Sequence, residues 1–113
     1  MKLQMYKILI LLIFTVSFGA FANDAQIISL DIRDNRFEPE EIHAKEGSKI
    51  KILVTNHDDT IEEFESTQLN REKIIPPKKT VAIVLAPLQV GEYQFEGEFH
   101  PSTAKGKLVI SKE

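Results

Sequence analysis

The chain has 113 residues, a formal charge of −3 from 14 Lys and Arg against 17 Asp and Glu, and no cysteine. That excludes a disulfide-stapled domain, any thiolate metal site and a strongly basic nucleic-acid binder. The modestly acidic balance also argues against docking on an anionic membrane surface.

The first stretch reads as a cleavable secretory signal peptide, Met1 to Ala22. Lys2 and Lys7 supply the positive start, Ile8 to Phe18 the apolar run, and Ala20-Phe21-Ala22 the small-x-small cleavage site. The run is too short for a mature membrane helix. The mature chain is expected to be one domain over residues 23–113, exported to the periplasm as a soluble protein. Loss of two lysines and no acid makes it more acidic than the precursor.

Gln26 to Arg33 alternates Ile28, Leu30 and Ile32 with polar residues, the period of a strand with one wet face. Asp34-Asn35 is a turn signal. Arg36 to Gly47 is extended and holds Pro39, which cannot donate to a ladder and marks an edge or a bend between sheets. Ser48 to Asn56 sets Ile50, Ile52 and Val54 on one face. Asn56 to Thr60 is a polar turn, and Ile61 to Ser66 is a short acidic strand. Thr67 to Lys79 reads as a long polar connection, in which any helix would be short, over Gln68 to Lys73. Thr80 to Ala86 is a buried strand, and Pro87 to Gly91 turns the chain. Tyr93 and Phe95 alternate in the next strand, and Leu108 and Ile110 in the last. Between those two lies a tight loop with Glu98, His100 and Pro101. About seven strands with turn signals between them predict an all-β Greek-key sandwich.

The order of these pieces resembles the cupredoxin family. The matching residues are Phe37-x-Pro39-x-x-Ile42, Gly47, Ile50 to Val54 ending in Asn56, then Phe64, Pro77 and Thr80. Gly91-x-Tyr93-x-Phe95, His100 and Gly106-x-Leu108-Val109 complete them. Glu63-Phe64-Glu65 narrows the resemblance to periplasmic cupredoxin-domain proteins that accompany bacterial high-affinity iron permeases, and to the front domain of related iron-uptake lipoproteins. The resemblance implies a two-sheet Greek-key barrel that binds copper or iron outside the inner membrane. It implies a binding protein more than an enzyme; a redox role would be Fe(II) oxidation or electron transfer.

The departures from the family pattern matter. A blue-copper site takes two His, a Cys thiolate and usually a weak axial Met. The Cys position is Gly97 here, the Met position is Ala104, and the first His falls near Glu62 or Glu63. A second cysteine position of the iron-uptake relatives falls near Phe37. Only His100 remains, so a blue-copper electron carrier is excluded.

What is left is oxygen-rich. Glu63 and Glu65 are the first expected ligands of an iron or copper ion because they lie in the narrower motif, and His100 joins them from a family ligand position. Glu62 and Glu98 stand in reserve. Alternation from an inward Phe64 sends Glu62 inward and Glu63 and Glu65 outward, so the motif choice needs a bulge in a short edge strand. The competing reading of the same residues is a solvated acidic edge paired with Lys78, Lys79, Lys105 or Lys107. His57 beside Asp58 and Asp59, and His43 in an extended edge, read as surface residues. Two functions follow: a periplasmic metal-binding protein serving uptake at an iron permease, or a metal-free interaction module of such a complex.

Overall fold

The computed structural model describes residues 24–112. The signal-peptide expectation for Met1 to Ala22 lies outside the described residues. Within them every regular element is a strand: β1 Gln26–Arg33, β2 Arg36–Glu38, β3 Glu41–Lys45, β4 Ile50–Asn56, β5 Glu62–Ser66, β6 Arg71–Ile75, β7 Thr80–Leu85, β8 Gly91–Gly97 and β9 Lys105–Ser111. They form two sheets, ordered β2-β1-β4-β7 and β3-β9-β8-β5-β6. The sandwich is the expected one, with nine strands in place of about seven.

Both extra strands come from segments whose composition hides them. Arg36 to Gly47 splits at Pro39: β2 pairs with β1 in the first sheet, and β3 pairs with β9 in the second. Pro39 thus marks a change of sheet, as its missing N–H requires. Arg71–Ile75 is a strand, where the sequence left room only for a short helix. Its side chains are exposed except Ile75, so no alternation signals it. Its ladder to β5 runs unbroken from Glu62↔Ile75 to Ser66↔Arg71. Asp34 and Asn35 both take positive φ (51° and 58°), the conformation a tight hairpin turn demands.

Alternation fills the space between the sheets. Leu30, Ile32, Ile50, Ile52, Val54, Phe64, Ile75, Leu108 and Ile110 are buried. Phe37, Phe64 and Phe95 form an aromatic cluster under one end of the barrel. Phe64 and Phe95 stack at 4.9 Å, and Phe37 meets Phe95 edge-on at 5.0 Å. Gly106 lies opposite Phe95, and a Cβ there would stand 2.5 Å from the Phe95 ring. Phe64 and Phe95 thereby fix the strand ends that carry Glu62 and Gly97.

Candidate functional site

The site sits where β5 starts and the β8–β9 loop turns. Phe64 pairs with Gly97 across β5 and β8, which brings the residues before Phe64 beside those after Gly97. The loop is tied by its own backbone: His100 N to Gly97 O at 3.1 Å, Ala104 N to His100 O at 2.8 Å, and Gly97 N to Ala104 O at 2.9 Å. Thr103 Oγ1 donates to Asn35 O at 2.6 Å and pins the loop to the β1–β2 turn.

Alternation, not the motif, decides which glutamate faces inward. β5 is flanked by β6 and β8, so it is not an edge, and its regular ladder holds no bulge. Glu62 is buried at 1% exposure. Its Oε2 accepts a hydrogen bond from His100 Nδ1 at 2.5 Å. Its Oε1 accepts from Glu63 N and from Phe99 N, each at 3.0 Å. With the carboxylate accepting, the imidazole carries its proton on Nδ1. Three donors around one carboxylate are what a buried charge requires.

Glu63 and Glu65 lie on the opposite face of β5 and do not accompany His100. Their company is Glu72 of β6, paired with Glu65, and Glu96 of β8, also paired with Glu65. Glu98 joins them, its backbone N–H donating to Glu63 O at 2.9 Å. One carboxylate oxygen from each of Glu63, Glu72 and Glu98 lies within 4.8 Å of the others. Partial burial pushes the Glu63 carboxyl above its ordinary range, and Glu98, Glu72 and Glu65 add to the rise. Glu65 is raised for the same first reason, then by the charges of Glu98, Glu72 and Glu96. Of the four lysines expected to neutralise this edge, Lys107 is engaged with Glu92 and Glu41 and Lys78 with Asp59, while Lys105 stands opposite Glu96 in the β8–β9 ladder. Among the described residues no Lys or Arg nitrogen lies within 4.0 Å of Glu63, Glu65, Glu72 or Glu98.

The other histidines are apart. His57 Nε2 lies 2.9 Å from Asp31 Oδ1, and exposed His43 lies 3.1 Å from Glu41. Asn56, which sequence reasoning treated only as a strand end, is fully buried. Its Nδ2 donates to Thr60 O and Ile75 O, and its Oδ1 accepts from Asp58 N. An Asn closing an apolar alternation was the one signal of that role.

Two of the ligand positions that the cupredoxin resemblance implies carry no donor side chain here. Gly97 and Ala104 stand at the Cys and Met positions and offer no donor atoms. A Cβ at Gly97 would lie 2.6 Å from Glu62 Cδ and 2.7 Å from Ala104 Cβ. Glu62 fills that volume, and its oxygens are taken by three protein donors.

Fold and site together define a Greek-key β-sandwich with a closed pole and an acidic outer patch beside it. The chain belongs to the cupredoxin-like domain family, whose profile matches residues 7–110. An uncharacterized protein of Rickettsia prowazekii (strain Madrid E) is 42% identical over 84 residues, 74% of this chain and 67% of that protein. The metal-binding domain of the Cu(I)-exporting P-type ATPase CopA of Streptococcus pneumoniae, solved with Cu(I), superposes with a TM-score of 0.68 at 15% identity. That match covers 76% of this chain and 85% of the domain. Auracyanin A, a blue copper protein of Chloroflexus aurantiacus, gives 0.66 at 14% identity over 75% and 98%. At such identity these structures establish the shared fold. Among the described residues no helix is long and apolar enough to cross a membrane.

Proposed function

We propose that this is an exported cupredoxin-like protein of metal-ion handling, which binds iron or copper at carboxylates and passes it on for uptake. The observation that carries this reading is the grouping of Glu63, Glu72 and Glu98, with no Lys or Arg nitrogen within 4.0 Å of them among the described residues. Carboxylate oxygens suit hard or borderline cations, and a divalent or trivalent ion would relieve the repulsion that raises Glu63 and Glu65. The iron-permease association rests on the Glu63-Phe64-Glu65 resemblance, and an inner-membrane permease is the partner it points to. No redox step is part of this reading, because the chain has no cysteine to build a blue site.

Titration calorimetry of the mature protein with Fe(II), Fe(III) and Cu(II) tests it. Micromolar binding is expected, weakened more than about tenfold by Glu63→Gln or Glu98→Gln and unchanged by His43→Ala. No binding of any of the three removes it. The closed Glu62–His100 position favours a second reading, a metal-free interaction module of an uptake complex, and that outcome would leave it standing.

A further inference from the structure

The Glu62–His100 pair extends the link between two parts of the chain past the last backbone bond at this end, from Glu98 N to Glu63 O. Glu62 opens β5, while Phe99 and His100 belong to the β8–β9 loop, 37 and 38 positions away. Both carboxylate oxygens are used: one on the loop's imidazole, the other on the loop's backbone and on β5's own. The pair is shielded on its Glu62 side, at 2% side-chain exposure, and open only at the His100 ring, at 27%. The surrounding sizes match. Gly97 leaves the space that the Glu62 carboxyl occupies, and fully buried Ala104 closes the far wall. A large side chain at 62 is thus compensated by minimal ones at 97 and 104, which is how packed interiors exchange volume.

We propose that Glu62 and His100 form a metal-free clasp: the carboxylate occupies the place of an ion and cross-links β5 to the β8–β9 loop by hydrogen bonds in place of coordination. The Nδ1 side of the ring, which Glu62 closes, takes up no metal. A metal ion at Nδ1 would have to strip that nitrogen of its proton, break its bond to Glu62 and find further donors. Among the described residues no third His, Asp or Glu offers an atom there; the one such grouping is Glu63, Glu72 and Glu98, on the other face of β5. The clasp is independent of the outer-carboxylate reading above: either can fail while the other stands.

Two measurements on the mature protein test it. In the first, the His100 imidazole nitrogens are followed by NMR as Zn(II) is added to one equivalent. The expected result is an Nδ1 that keeps its proton, whatever happens at Nε2, Glu63 and Glu98. Loss of that proton with a metal-induced Nδ1 shift overturns the proposal. The second is a double-mutant cycle of Glu62→Ala and His100→Ala, read as denaturation midpoints. Each single variant should lower the midpoint, and the double variant should lose no more than Glu62→Ala alone, because one shared bond is removed. Additive losses overturn the clasp and leave two unrelated packing residues. The NMR arm needs no variant to fold.

Discussion

The Glu62 carboxyl carbon lies 2.6 Å from the point where a Cβ on Gly97 would stand. The two residues share one volume, and neither can grow unless the other shrinks. Gly97→Ala is therefore expected to destabilise the domain by about 1–3 kcal/mol, the usual range for overpacking. Adding Glu62→Ala should not deepen the loss in proportion, since the second change vacates the space. Chemical denaturation of the two singles and the double reads this; strict additivity would show that the volumes are separate.

The acidic patch sets a pH dependence with a definite sign. Glu63 and Glu65 are raised in the fold, so the folded state holds protons more readily there than the unfolded chain. Their contribution is unfavourable above the raised folded pKa. It is relieved as pH falls through that range toward the ordinary value of 4.5. The charges that raise them are carboxylates, Glu72 on β6, Glu96 on β8 and Glu98 in the loop, while Lys105 stands beyond Glu96 on β9. Glu63→Gln should therefore gain stability over the parent at pH 7, and the gap should close on acidification. Denaturant midpoints from pH 7 down to the carboxylate range measure it. A gap that is constant or widens in acid would sink the idea.

Asn56 holds the β4–β5 turn from inside. Its amide serves Thr60 O, Ile75 O and Asp58 N at no exposure. Asn56→Ala leaves these groups without their partner, and a loss of about 3 kcal/mol is expected, since each buried unsatisfied group costs roughly 1–3 kcal/mol. Asn56→Asp keeps the acceptor for Asp58 N but loses both donors, so it should rescue little. Thermal melts of the two variants against the parent decide it.

Gly106 carries the Phe95 ring. A Cβ there would meet two ring carbons at 2.5 and 2.6 Å and the Glu40 carbonyl at 2.8 Å. Backbone cannot retreat as a flexible side chain can, because Lys107 N donates to that same carbonyl. Gly106→Ala should cost about 1–3 kcal/mol and broaden the ring signals of Phe37, Phe64 and Phe95. By contrast His43→Ala, at an exposed edge position, should stay within about 0.5 kcal/mol of the parent.

Much of this molecule was legible in the chain alone, because a strand's burial is written in every second residue. Ile28, Leu30 and Ile32, then Ile50, Ile52 and Val54, then Phe64 and Phe95, determine which faces meet and hence the sandwich. Pro39 marked the change of sheet because it has no N–H to give. The same alternation already turned Glu62 inward, ahead of the motif that favoured Glu63 and Glu65. What alternation cannot carry is partnership across the fold. β6 has only one buried residue and is a strand because β5 offers it a ladder. Glu62 meets His100 because Phe64 pairs with Gly97, a register set by two sheets packing on three phenylalanines. The sequence determined that a carboxylate would be buried; only the tertiary structure decided that an imidazole 38 residues away would hold it.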